Sequence, residues 1–238
     1  MSERFFVEVP IQGPHARLVE GEAQHVAKVM RAKIGDQITL FDGSGAEFLA
    51  TITNLSKQAV DVEIVERREI DRELARDLTI AVALPKGDRQ QWLVEKLTEL
   101  GATRIVPLVC QRSVAQPVES ALARLRRWSI EAAKQCGRNR LLEIAAPEKW
   151  PHYAATATAT IRLFAHPGMD AKHALGGPHD ALIAAIGPEG GWSDEEVAIA
   201  VASGWQAVSL GPRILRVETA AIALTVLAGA DSGEAAAQ

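Results

Sequence analysis

The period of the apolar residues changes once along this chain, and that change constrains the fold more than any single motif. From Phe5 to about Ile70 the residues alternate: Arg4–Val9 around Phe5, Phe6 and Val7, then Gln37–Phe41 and Glu47–Ile52 on either side of Asp42-Gly43-Ser44-Gly45, then Ala59–Val65. Alternation with period two marks strands that keep one face in water, and Asp-Gly between two such runs marks a hairpin. One helix interrupts them: Glu22–Met30 spaces Ala23, Val26, Ala27 and Met30 for a single face, and Gly35-Asp36 stops it. Short strands with glycine turns predict a small barrel of about 70 residues. Glu66–Asp77 is charged and almost free of core residues, a solvated helix or a linker. The domain boundary is placed there, giving residues 1–72 and 73–238.

Beyond the boundary the alternation stops. Leu78–Leu84 is continuously apolar, as a strand covered on both faces requires. Pro85-Lys86-Gly87 ends it, and Asp88 with Gln91 resembles a capping box for a helix striped with Leu93, Leu97 and Leu100. Arg104–Val109 is the next strand, so a right-handed β-α-β unit and a parallel sheet follow. Ser120–Cys136 is a long helix, Ile161–Ala165, Ala181–Ile186 and Ala207–Leu210 are further strands, and Ala154–Thr160 is read as a surface segment. Ser193 with Glu196 is a second capping box, for a helix to about Ala202. Thr219–Ala230 is apolar nearly all round, so it is expected to be covered on more than one side, by the core or by another subunit. The tail from Asp231 is expected to fray.

Composition excludes several classes. The chain has 238 residues, 47% apolar and 24% charged, and no apolar run nears the roughly 20 residues a membrane span needs. MSERFFVEVP has neither the basic start nor the long apolar core of a signal peptide. With only Cys110 and Cys136, no disulfide framework is implied and a reducing cytoplasm is expected. His166, His173 and His179 lack carboxylate or cysteine partners at ligand spacing, so no metal site is expected. A net charge of −4 argues against indiscriminate nucleic-acid binding, but local basic sets remain. Arg124, Arg126, Arg127, Lys134, Arg138 and Arg140 form one, and Lys28, Arg31 and Lys33 another; each is either a solvated face or a phosphate-binding surface. Aromatic residues make up 5%, too few for base-stacking platforms to dominate.

Chemistry concentrates in two loops near the C-terminus. Ile186–Gly191 (IGPEGG) and Leu210–Ala220 (LGPRILRVETA) each break an apolar run with Gly-Pro and precede a helix. Two such loops at strand ends make one cleft, where ligands of open α/β sheets bind. The first loop lacks the Lys-Ser/Thr ending of a phosphate loop and the dinucleotide glycine spacing, and Glu189 repels phosphate. A ligand with hydroxyls, an amine or a positive centre suits it. The second carries Arg213, Arg216 and Glu218 within six residues, either a structural ion-pair knot or groups for chemistry. Cys136 beside Arg138 is either a nucleophile or a structural cysteine at a helix end.

The set RFFV (Arg4–Val7), HVAKVMRAKIGD (His25–Asp36), LFDGSG (Leu40–Gly45), LPKGDR (Leu84–Arg89), EKLTELG (Glu95–Gly101), EAAKQCGR (Glu131–Arg138), IGPEGGW (Ile186–Trp192) and LGPRILRVETA resembles the RsmE family, in that order and across nearly the whole chain. These are 16S ribosomal RNA (uracil-N3)-methyltransferases of the SPOUT, or α/β-knot, class. The chain departs from the family pattern at Lys134, where Glu is common, and at Leu142, where Pro is common. The resemblance implies a PUA-like RNA-binding barrel, a methyltransferase domain whose C-terminal trefoil knot holds S-adenosylmethionine (leaving S-adenosylhomocysteine), a cytoplasmic homodimer, and small-subunit rRNA as substrate. It implies cofactor contacts at Ala165, His166, Ile186, Gly187, Pro188, Glu189, Gly190, Gly191, Leu210, Gly211, Leu215 and Val217. RNA contacts are expected at Lys28, Arg31, Arg124, Arg127, Arg140 and Arg213.

The implied reaction fits these residue types. Uracil N3–H must lose its proton before attack, and guanidinium groups stabilise the resulting anion. Arg138 or Arg216 suits that role, and Glu218 is the nearest candidate base. N3 attack needs no covalent nucleophile, so Cys136 is expected to be dispensable. Competing readings are a SPOUT methyltransferase acting on transfer RNA or a ribose hydroxyl, and a non-catalytic RNA-binding ribosome-assembly factor.

Overall fold

The computed structural model describes residues 4–56, 58–113, 118–168 and 175–230; the expectations for His173 and for the tail from Asp231 lie outside the described residues. Contacts divide the chain between Glu73 and Leu74, with one exchange: Ala133–Leu141 groups with the first unit.

In the first unit five strands, β1 (Arg4–Phe6), β2 (His15–Val19), β3 (Gln37–Phe41), β4 (Ala46–Leu55) and β5 (Ala59–Glu69), form one sheet in the order β1-β3-β4-β5-β2. Only the β1–β3 pair is parallel. The β4–β5 register slips at Leu49/Ala50 and again at Ile52/Asn54. Such bulges bend a strand and raise its twist, which curls the sheet over its apolar face. That face holds Phe5, Leu18, Leu40, Phe48, Ile52 and Val60, and helix α1 (Glu20–Gln24) with its π-helical continuation His25–Val29 adds Ala23 and Val26.

The charged stretch after Val65 is not a helix. β5 runs on to Glu69 because β4 supplies a ladder partner for each residue, Phe48 opposite Arg67 and Ala46 opposite Glu69. Side chains of Arg67 with Glu69 and of Arg68 with Glu66 pair on opposite faces of the strand, all four exposed.

Residues 133–141 join this unit through buried polar contacts. Lys134 Nζ lies 2.9 Å from Glu22 Oε1, and Asn139 Nδ2 donates to Ile70 O at 3.0 Å. Arg4 donates to Glu47 and to Asn139 Oδ1, each at 2.6 Å. Arg138 sets both Nε and Nη2 on the Glu73 carboxylate. The departure at Lys134 is therefore a buried ion pair, and the departure at Leu142 is a buried core residue.

In the second unit β6 (Leu78–Val82), β7 (Arg104–Val109), β8 (Glu143–Ile144), β10 (Ile161–Ala165), β11 (Leu182–Ile186) and β12 (Gln206–Val208) form an all-parallel sheet in the order β12-β10-β11-β6-β7-β8. β9 (Glu148–Lys149) also pairs with β7. The strands β6, β7, β10 and β11 bury residues on both faces. Ile80 and Val82 face Leu93 and Leu97 of α2 (Arg89–Glu99), Leu122 and Leu125 of α3 (Glu119–Cys136), and Ala221 and Leu224 of α6 (Val217–Ala230). Ala81 and Ala83 face Trp150 and Ala154 of α4 (Trp150–Thr156), Ala200 of α5 (Asp194–Ala202), and Trp192 and Trp205.

Three expectations are corrected here. Asp88 makes no capping bond, because its own backbone is helical (φ −64°, ψ −17°) and its side chain cannot turn back; Gln90 instead donates to Pro85 O at 2.7 Å. Part of the alanine–threonine segment is helical, with Ala154 fully buried, since small residues let α4 approach the sheet closely. Val217 and Glu218 belong to the first turn of α6 rather than to the preceding loop. The box at Ser193 and Glu196 forms with both reciprocal bonds. Among the described residues no helix is long and apolar enough to cross a membrane.

Candidate functional site

β12, β10 and β11 are neighbours and parallel, so their C-terminal ends meet at one edge of the sheet. A cleft of about 200 Å³ opens there, walled by the residues after each strand and by the first turn of α6. Ala165, His166, Ile186, Gly187, Pro188, Glu189, Gly191, Leu210, Gly211, Leu215 and Val217 all line it; Gly190, also expected at the cofactor, does not.

The loop after β11 is held from several sides. Trp192 turns back under it and donates from Nε1 to Ala165 O at 2.9 Å, joining two of the three loops. Its indole lies so close to Gly187 that a Cβ there would come within 2.8 Å of the ring. Gly191 adopts φ +70° and its N–H closes the turn onto Pro188 O at 2.8 Å. Arg112 Nη1 donates to Gly190 O at 3.0 Å and to Trp192 O at 3.2 Å. Glu196 completes its capping box with one carboxylate oxygen and accepts from Gln111 N–H at 2.8 Å with the other. The capping box was visible as a local pattern. Arg112 carried no signal, because its partners lie about 80 residues away.

The loop after β12 is different. Gly211 turns with φ +98°, and Pro212, Arg213, Ile214 and Arg216 are exposed, Ile214 at 90%. The N–H groups of Leu210 and Gly211 have no hydrogen-bond partner among the described residues. The first-turn amides of α6 follow, unpaired within the helix as at any helix start. The cleft thus offers apolar walls from Ile186, Leu210, Leu215 and Val217, open backbone groups, and the Glu189 carboxylate. That is a surface for a flat apolar group with polar edges and a positive centre.

The three residues expected to carry chemistry stand in different settings. Arg216 is exposed at the end of the cleft loop. Glu218 is 4% exposed in α6 and its carboxylate faces Arg89 at 3.7 Å. Arg138 is 3% exposed, bound to Glu73, and belongs to the first unit; it is not among the residues lining the cleft. The expected RNA-contacting residues Lys28, Arg31, Arg124, Arg127, Arg140 and Arg213 are all exposed, Arg124 lying 5.3 Å over the Trp128 ring and Arg31 at φ +55°.

Neither cysteine lines the cleft. Cys136 is half-buried, its sulfur 3.9 Å from Ala133 O. Burial, seconded by the nearby Glu196 charge, pushes the Cys110 thiol up to about 12, so it stays protonated at neutral pH. Among the described residues no three His, Cys, Asp or Glu side chains gather as a metal site would require.

Residues 72–229 match a family model described as an RNA methyltransferase domain, and residues 20–65 match an RNA methyltransferase PUA domain. The chain is 33% identical over 210 residues to ribosomal RNA small subunit methyltransferase E of Synechocystis sp., covering 85% of this chain and 69% of that protein. It is 29% identical to the Bacillus subtilis protein of the same name over 92% of both. A structure from Neisseria gonorrhoeae, a ribosomal RNA small subunit methyltransferase E bound to S-adenosyl methionine, superposes with a TM-score of 0.84 at 30% identity, covering 95% of this chain and 96% of that one. A Legionella pneumophila chain solved with the cofactor SAM gives 0.89 at 32% identity, covering 97% and 98%.

Proposed function

This chain belongs to the RsmE family of ribosomal RNA small subunit methyltransferases, and on that premise we propose that it binds S-adenosylmethionine in the cleft and methylates N3 of a uridine in 16S rRNA. The observation that carries the reading is the cleft's chemistry: apolar walls, open backbone groups and one carboxylate, without the lysine of a phosphate cradle. Those features fit the cofactor. Ile186, Leu210 and Leu215 would sandwich its adenine, the loop amides would meet its polar edges, and Glu189 would face its positive end. S-adenosylmethionine, when bound, supplies an electrophilic methyl group.

This chain's own residues do the rest. The fixed loop after β11 would hold the donor side still, and uracil N3 would take the methyl group once its proton has passed to solvent, S-adenosylhomocysteine being the leaving group. Arg216, exposed beside the cleft, is assigned the stabilisation of the uracil anion on its carbonyl oxygens. Arg138 is occupied by Glu73, which supports a role in shaping the 133–141 segment. Glu218 meets Arg89 rather than the cleft, which supports a positioning role over proton transfer. Lys28, Arg31, Arg124, Arg127, Arg140 and Arg213 would contact phosphates.

The same reading takes the two cleft loops as the crossing of a trefoil knot and the protein as a cytoplasmic homodimer. The half-exposed Val226 and Leu227 on the otherwise apolar α6 support a second copy as the cover. The test is nucleoside analysis of 16S rRNA after incubating purified protein and S-adenosylmethionine with small subunits from cells lacking the enzyme. 3-Methyluridine should appear, and Arg216→Ala should slow its formation at least about a hundredfold, the scale of losing one charge-stabilising donor. A methylated ribose or cytosine instead would replace this reading with another target.

A further inference from the structure

Arg89 is the first residue of α2, just past the Pro85–Gly87 turn that ends β6. β6 lies beside β11 in the sheet, Val82 opposite Ile186, and Ala83 N–H donates to Ile186 O at 3.0 Å. The start of α2 therefore stands next to the loop that forms the cleft's fixed wall. Gln90 pins that start by donating to Pro85 O. α2 also packs along α6.

From this position one guanidinium reaches two segments. Arg89 Nη2 donates to Glu189 Oε1 at 3.2 Å, on the loop after β11, and Nη1 lies 3.7 Å from Glu218 Oε2, in the first turn of α6. Glu189 lines the cleft, and so do Val217 and Ala220 on either side of Glu218. Glu218 is nearly fully buried, and its Oε2 has no hydrogen-bond partner among the described residues. A carboxylate so placed is costly unless a cation faces it, and Arg89 is the cation whose ion pair with it is seen. Arginine suits the task because its planar fork meets the two acceptors from separate nitrogens; lysine would have to draw both carboxylates to a single nitrogen.

We propose that Arg89 is a positioning residue of the cleft, tying the Glu189 loop to the first turn of α6 so that ligand affinity depends on it. This rests on the cleft being the S-adenosylmethionine site. Arg89 does not line the cleft and acts through the two carboxylates it holds. Because it neutralises Glu218 and orients Glu189, its loss leaves a buried charge alone and a cleft carboxylate unaimed.

The test is calorimetry of S-adenosylmethionine binding to the full chain, with thermal melts of the unliganded protein. No binding by the unsubstituted protein would refute the cofactor reading itself, separately from Arg89. Given that binding, Arg89→Met should weaken it about tenfold or more, and Arg89→Lys at least about threefold. Adding Glu218→Gln to Arg89→Met should recover part of the loss, because the unpaired buried charge is then gone. Binding within twofold of the parent in Arg89→Met overturns the proposal, as does a double variant no better than the single. Should Arg89→Met fail to fold, Arg89→Lys decides, and unchanged affinity there overturns it equally.

Discussion

The two loops of the cleft are built on opposite plans. The one after β11 is fastened by Trp192 from below, by Arg112 on two of its carbonyls, by the Glu196 capping box and by its own Pro188–Gly191 turn. The one after β12 exposes four of its residues and leaves the N–H groups of Leu210 and Gly211 without partners among the described residues. A binding site needs both kinds of wall. The fastened one fixes where the ligand sits without an ordering cost at binding, and the open one keeps polar groups for the ligand and side chains for the substrate.

That contrast can be broken at its strongest point first. Trp192→Ala should cost about 3–5 kcal/mol, the range for emptying a buried tryptophan site, and should also release the loop after β11 from Ala165. Denaturant unfolding measures the first and cofactor calorimetry the second; a stable variant with intact affinity would show that the loop does not need its floor. Gly187→Ala is the next probe. Its methyl group would meet the indole at 2.8 Å, and overpacking of this kind costs about 1–3 kcal/mol. The smallest effect belongs to the other loop. Arg213→Ala and Ile214→Ser should change stability by less than about 0.5 kcal/mol, as exposed sites do. Arg213→Ala should still lower the salt dependence of RNA binding by roughly one unit of slope. If those two variants prove as destabilising as Trp192→Ala, the two loops are not built differently.

Much of this was legible locally. The strands Arg104–Val109 and Ile161–Ala165 follow from short, mostly apolar runs, and the capping box at Ser193 from a three-residue spacing. Those signals sit within one element. What escaped depended on partners far along the chain. β5 outlasts its apolar alternation because β4 pairs with it, and Arg138 is neutralised by Glu73, 65 residues earlier. Arg112 and Arg89 act on segments 78 to 129 residues away, and nothing near them in sequence marks them out. Asp88 failed for a subtler reason: a capping spacing says nothing about whether the residue's own backbone is extended.

The grouping of residues 133–141 with the first unit has a consequence for how the chain is made. Domains generally complete in the order of synthesis, the N-terminal one first. Here the first unit waits for Lys134, Arg138 and Asn139, which answer the part-buried carboxylates of Glu22 and Glu73 and the carbonyl of Ile70. β6, α2, β7 and most of α3 leave the ribosome before those partners do. A fragment ending at residue 73 would keep Arg4 and Arg72 beside Glu47 but lack the cations that face Glu22 and Glu73. The unit that begins first is therefore finished only at Leu141 of 238 residues, about three-fifths of the way along the chain, and cutting the protein at its apparent domain border would not yield it whole.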